Sequence, residues 1–147
     1  MNTNSIKGNC AEYLVLHVLL KNGISAWHTG GNNRKWDILV QTSSDDFIPA
    51  SVKYASTRLP IFSEQDETES KGIYFIVVPS KDPLATDEVL LFNSATIAQA
   101  CRNYKSRAIK TPSYKNRPKF RNFRITKESY ENGKNSLGVF VKSMGAA

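Results

Sequence analysis

The chain has 147 residues, a formal net charge of +7, and 40% hydrophobic against 22% charged residues. That length suits one compact domain with its own core and is short for two; the ordinary composition excludes collagen-like, low-complexity and disulfide-scaffold classes. No apolar run is long enough to span a bilayer, and residues 1–7 lack a basic segment ahead of an apolar one, so the expectation is a cytoplasmic single domain over 1–147 with no membrane partner.

The charge is unevenly placed. Residues 1–101 hold 8 Lys/Arg against 11 Asp/Glu, whereas residues 102–127 hold 10 Lys/Arg and no acid. The pattern is a mildly acidic domain carrying one concentrated basic stretch. Cys10 and Cys101 have neither metal nor disulfide spacing and read as two small core residues.

In chain order, Ser5 is the candidate N-cap of a helix running to Leu20 or Lys21, stopped by Asn22-Gly23. Residues 10–20 are apolar on nearly every side, which places the helix between the sheet and another helix or at a subunit interface. Residues 24–28, 36–41 and 47–54 read as three strands of an antiparallel meander. Residues 59–71 are polar and acidic, a solvated loop or a loosely packed helix. The run Gly72-Ile-Tyr-Phe-Ile-Val-Val78 is a strand buried on both faces at the centre of a sheet. A strand over 88–92 and a helix over 94–104, capped by Asn93 or Ser94, follow. Residues 105–124 form a basic loop or extension with prolines at 112 and 118. A strand end over 123–125, a helix start at 126–130 and a last strand over 137–141 complete the reading. The order α-β-β-β-β-β-α makes an α/β domain with a central mixed β-sheet flanked by helices.

Three charges stand where charge is costly. Glu12 is the one ionised side chain in the run 10–20, Asp37 opens the second strand, and Lys53 lies inside the third. Unpaired, they would be expensive to bury; converging, they have a purpose. Hydrolysis of a phosphodiester requires an activated water and stabilisation of charge growing on the phosphate oxygens. A hard divalent cation held by carboxylate and carbonyl oxygens supplies both, and a lysine beside it neutralises developing charge. The side-chain period of two sets Ser51 and Lys53 on one face of their strand and Val52 on the other. His17 and His28 stand too isolated for a zinc site, and His17 reads as a core or interface side chain.

A helix Glu, an Asp at the head of a strand and an x-x-Lys one hairpin later resemble the PD-(D/E)XK nuclease-like superfamily, the restriction-endonuclease-like and Holliday-junction-resolvase-like proteins. The residues carrying the resemblance are Gly8-Asn-Cys-Ala-Glu12, Trp36-Asp-Ile-Leu-Val40 and Ser51-Val-Lys-Tyr-Ala55, within roughly the first 80 residues. The resemblance implies a restriction-endonuclease-like core and a metal, Mg2+ or Mn2+, held by Asp37 and the main-chain carbonyl of Val52. It also implies Lys53 as catalytic lysine and Glu12 as supporting carboxylate. Trp36 replaces the proline often found in the motif, and Ser51 stands where the family carries a carboxylate. Glu64 and Glu67, eleven and fourteen residues past Lys53, are candidates for supplying the missing ligand.

The basic stretch lies outside the resemblance. Arg102, Lys105, Arg107, Lys110, Lys115, Arg117, Lys119, Arg121 and Arg124 are candidate phosphate contacts, interleaved with Tyr104, Tyr114, Phe120 and Phe123 as stacking platforms. DNA is the expected partner, with RNA left open. The sequence therefore predicts a Mg2+-dependent endonuclease or nuclease-like DNA-processing protein, working as a homodimer with one site per strand. The alternative is a catalytically inactive module of the same fold that binds nucleic acid or an acidic protein.

Overall fold

The computed structural model describes residues 3–29, 36–57, 60–110, 121–122 and 124–144. Among them the chain forms helices α1 (Thr3–Lys21), α2 (Glu64–Thr68), α3 (Ser94–Ala108) and α4 (Lys127–Met144). The strands are β1 (Ala26–His28), β2 (Ile38–Gln41), β3 (Phe47–Tyr54), β4 (Ile61–Phe62), β5 (Ile73–Val78), β6 (Glu88–Asn93) and β7 (Arg121–Asn122). Five strands make one mixed sheet in the order β1-β2-β3-β5-β6. Only the β3–β5 pair is parallel, with Ser51 beside Tyr74 and Lys53 beside Ile76; the others are antiparallel. β4 and β7 form a separate two-stranded ribbon.

β5 is buried at all six positions, as expected of an apolar strand at the middle of a sheet. Its alternation divides the core. Ile73, Phe75 and Val77 pack with Ala11, Val15 and Leu19 of α1 and with Ile38, Val40 and Ala50 of β2 and β3. Tyr74, Ile76 and Val78 face the other way, toward Phe62, Ile97, Cys101 and Ile125. Thus α1 covers one face, α3 covers part of the other, and α4 packs along edge strand β6.

Several expectations are corrected. Helix α1 begins at Thr3, so Ser5 lies within its first turn; neither Pro nor Gly precedes it to stop the helix there. Its C-terminal stop is as expected: Gly23 takes φ 78°, and Asn22 and Ile24 both donate to Leu19 O, at 3.1 and 2.9 Å. Cys10 and His17 are exposed rather than core; Cys101 is buried. The basic segment is helical as far as Ala108, because α3 outruns its expected end at 104; residues 111–120 and 123 lie outside the described residues. Residues 137–141 belong to α4, not to a strand. Tyr130, Gly133, Leu137, Phe140, Val141 and Met144 recur at helical spacing, and their apolar members pack on the core. Thr126 and Ser129 close the start of α4 reciprocally, Thr126 N–H donating to Ser129 Oγ at 2.7 Å and Ser129 N–H to Thr126 Oγ1 at 3.2 Å.

The acidic run 64–69 is not a solvated loop. It contains α2, whose Asp66 is buried and accepts from Ser63 N–H at 2.7 Å, Ser63 Oγ at 3.1 Å and Tyr74 Oη at 2.7 Å. This pins α2 to β5. Burial, then Asp66, raises the Tyr74 phenol well above its usual range, so the tyrosine remains a donor. Gly72, at φ 87°, turns the chain into β5 where a Cβ would stand 2.6 Å from both Pro49 O and the Trp36 ring. Only glycine fits there, and its absence of a side chain lets Trp36 pack at the head of β2. No helix among the described residues is long and apolar enough to cross a membrane.

Candidate active site

Asp37 is the residue immediately before β2. Its backbone N–H donates to Ala50 O at 2.9 Å, and its carbonyl accepts from Thr29 N–H at 3.2 Å. β2 begins at Ile38, opposite Ala50, so the next ladder donor on β3 is Val52 N–H. The Asp37 carboxylate takes that donor itself, Val52 N–H reaching Oδ2 at 2.8 Å, with Ser51 Oγ a weaker donor at 3.4 Å. The two main-chain polar groups of a strand residue point the same way across a ladder, so the Val52 carbonyl faces the same gap. Ser51 is only 3% exposed, beside Tyr74 on the parallel strand.

Glu12 reaches this place from α1, one residue past buried Ala11 and at the margin of the helix stripe lying on the sheet. Partial burial, then the negative charge of Asp37 and a hydrogen bond to it, push the Glu12 carboxyl up to about 7. Two carboxyl groups are thus crowded into one partly desolvated place, where a proton relieves their repulsion. His28, at the end of β1, completes the cluster: Nδ1 lies 3.6 Å from Glu12 Oε2, and Tyr13 packs edge-on to its ring with centroids 5.2 Å apart. His28 Nε2 is buried without a hydrogen-bond partner among the described residues.

Lys53 lies two residues beyond Ser51 on the same strand face, its Nζ 5.9 Å from the Phe62 ring centre. Phe62 in turn meets Tyr74 edge-on. The Glu67 carboxylate lies 3.8 Å from Lys105 Nζ, an ion pair between α2 and α3, with its side chain 12% exposed. The Glu64 side chain lies outside the described set.

The structure therefore gathers Glu12, Asp37, Ser51 and Val52, with Lys53 along the strand, and turns Glu67 toward α3. Sequence reasoning missed His28 and Tyr13. A signal existed: Ala26 is buried against α1, and the alternation of β1 sets His28 on that face too. Among the described residues no three His, Cys, Asp or Glu side chains group as a metal-ligand set. The donors at hand are two carboxylates and the Val52 carbonyl, with His28 Nδ1 beside Glu12. This oxygen-rich set, whose own charges repel, fits a hard divalent cation that keeps several waters.

Of the candidate phosphate contacts, Arg102 donates to Glu67 O at 3.3 Å and to Gln99 Oε1 at 2.9 Å, so it and Lys105 also brace α2 against α3. Arg107 and Lys110 are exposed near the end of α3, and Arg124 is exposed ahead of α4. Arg121 lies in β7, its side chain outside the described set; Lys115, Arg117 and Lys119 lie outside the described residues altogether.

Comparison with solved structures finds the same architecture in nucleases. The chain is similar to a bacterial homing endonuclease, with a TM-score of 0.55 and 12% identity over 99% of this chain and 96% of that one. It is also similar to the Holliday junction resolvase of the archaeal hyperthermophile Archaeoglobus fulgidus, with a TM-score of 0.50 and 19% identity over 86% and 89% of the two chains. No protein-family model and no curated protein matches the sequence. At these identities the likeness is one of fold: an α/β, restriction-endonuclease-like arrangement with a five-stranded mixed sheet flanked by helices.

Proposed function

We propose that this chain is a divalent-metal-dependent endonuclease acting on DNA. The observation that carries the reading is the meeting of Glu12 and Asp37 at the head of β2, where partial burial first, and then the charge of Asp37 and a hydrogen bond to it, push the Glu12 carboxyl up to about 7. A structural role alone would call for one acid to close the β3 ladder, and Asp37 suffices for that. A second acid beside it raises the electrostatic cost without adding a backbone partner.

Asp37, Glu12 and the Val52 carbonyl would hold Mg2+ or Mn2+, with His28 next to Glu12. When bound, the cation supplies a polarised water and neutralises charge on the phosphate oxygens. Ser51 and Val52 fix the Asp37 carboxylate in place. Lys53 carries a positive charge along the same strand, where it can stabilise a phosphorane-like charge build-up or orient the attacking water. Arg107, Lys110 and Arg124, with the basic segment between them, would neutralise the DNA backbone. Two copies would present one site to each strand.

The rival reading is an inactive module of the same fold that binds nucleic acid or an acidic protein. It is favoured by one observation: position 51, where a third acidic ligand is expected, is a buried serine. Cleavage of linear, branched and single-stranded DNA in Mg2+ or Mn2+, against the same reactions in chelator, separates the two. The endonuclease cuts only with metal, while the rival cuts under no condition. Binding to DNA is expected to weaken by roughly 10³-fold or more between 50 and 200 mM salt if six or more phosphates are contacted. Affinity that stays flat over that range removes the basic segment as the DNA-binding element.

A further inference from the structure

Lys53 is half-buried on β3, and among the described residues no carboxylate lies within ion-pair distance of its Nζ. Its ammonium stands instead over the Phe62 ring, 5.9 Å from the ring centre. That is within the range where the negative face of an aromatic ring attracts a cation. The choice of partner has a chemical consequence. A carboxylate would hold the lysine by neutralising it and by occupying its donors. A ring face restrains the direction of the ammonium and leaves its charge, with the N–H groups turned away from the ring, for another anion.

The ring is itself held from several sides. Phe62 lies in the connection between the parallel strands β3 and β5, and its backbone is paired in β4 opposite Arg121 of β7. The next residue, Ser63, is fixed by Asp66, whose Oδ2 accepts from Ser63 N–H at 2.7 Å and from Ser63 Oγ at 3.1 Å. Asp66 Oδ1 accepts from Tyr74 Oη at 2.7 Å, and the Tyr74 ring meets the Phe62 ring edge-on, with centroids 6.0 Å apart. The contacts close a circuit from Phe62 through Ser63, Asp66 and Tyr74 back to Phe62, and Phe62 and Asp66 are only 2% and 5% exposed. A core role asks for apolar volume at this position, which an aliphatic side chain also supplies. The ring face toward Lys53 is what volume alone does not require.

We propose that Phe62 is a positioning residue for Lys53. Its ring face orients the ammonium along β3 from Ser51 while leaving it charged, so that it can meet a phosphate oxygen. Phe62 touches neither DNA nor metal in this role and acts through Lys53 alone. The effect on cleavage rests on the endonuclease reading; the contact between ring and ammonium does not.

The whole protein carrying 4-fluoro- and then 3,4,5-trifluorophenylalanine at position 62 tests the proposal, because fluorine drains the negative face of the ring at nearly constant volume. The single-turnover cleavage rate at saturating DNA should fall stepwise with fluorine number, by about tenfold for the trifluoro ring, a fraction of what a full ångström of misplacement costs. The Kd for DNA should stay at the wild-type value. Phe62→Leu, which removes the face altogether, should slow the wild type at least as much and should not slow Lys53→Ala any further. If Phe62→Leu does not fold, the fluorinated series in the two backgrounds makes the same comparison. Melting curves of these proteins read the contact without cleavage: the trifluoro ring should lower Tm in the wild type and by less in Lys53→Ala. A wild type that cuts no DNA but shows this coupling removes the endonuclease reading and supports the positioning of Lys53 by Phe62. Rates indifferent to fluorination, equal losses in both backgrounds, or strictly additive changes in Tm overturn the proposal.

Discussion

Asp37→Asn and Lys53→Ala are each expected to reduce metal-dependent DNA cleavage by at least about 100-fold while leaving the fold intact. Asparagine keeps an oxygen in place for the Val52 N–H, 2.8 Å away in the wild type, and removes only the charge. Alanine at position 37 would instead leave that strand donor without its partner, at about 1–3 kcal/mol, and would mix a stability loss into the result. Lys53→Ala gives up a cation–π contact with Phe62 worth about 0.5–1 kcal/mol, too little to unfold a domain of this size. DNA binding should survive both changes, since neither residue is among the candidate phosphate contacts. Melting curves run beside the cleavage assay separate lost chemistry from lost structure. Full activity in both variants would remove this site from the mechanism.

The second large effect is a dependence on pH set by Glu12. Its carboxyl lies at about 7 rather than 4.5, so the folded state keeps a proton that the unfolded chain releases. Stability is therefore highest below about 4.5 for this group and falls as pH rises through the window to about 7. Glu12→Gln removes that slope. The variant should melt with the wild type at pH 5 and above it at pH 8, where the wild type carries two repelling carboxylates. Cleavage should run the opposite way. A cation must displace the Glu12 proton, so wild-type activity should rise up to about tenfold per pH unit below 7 and level off above it. Glu12→Gln should lose both the activity and the pH-dependent gap in Tm. A difference in Tm between Glu12→Gln and wild type that stays the same from pH 5 to pH 8 would contradict the raised Glu12 carboxyl.

What the sequence could reveal depended on how local the signal was. The apolar run of β5, the meander β1–β2–β3 and the glycine stop of α1 are written in short-range patterns, and each lies within a few residues of its expected place. The placement of Glu12 beside Asp37 followed from asking where an isolated charge in an apolar helix can go. The position of His28 beside Glu12 could not be read from composition, because it depends on which face of a three-residue strand meets α1. Asp66 looked like one acid among four in a polar run. Its burial is imposed by Tyr74 from the neighbouring core strand, a contact eight residues distant in sequence that no periodicity announces. Residues 137–141 misled because Val-Phe-Val reads as a strand until the wider stripe from Tyr130 to Met144 is considered. Glu67 was chosen by charge type and spacing alone, and its ion pair with Lys105 on α3 is a contact that no local pattern announces.

The central claim is that the Glu12–Asp37 pair is a divalent-cation site, and a thermal-shift titration of the wild type and Asp37→Asn with Mg2+ and Mn2+ at pH 8 tests it most directly. A cation that binds only the folded state adds about 2.7 kcal/mol at a hundredfold excess over its Kd. For a chain of this size that is a rise in Tm of roughly 5–10 °C. The account predicts that rise in the wild type and its loss in Asp37→Asn. A wild-type Tm unmoved by millimolar metal, or an equal rise in both proteins, would contradict it and leave the inactive nucleic-acid-binding module as the reading to pursue.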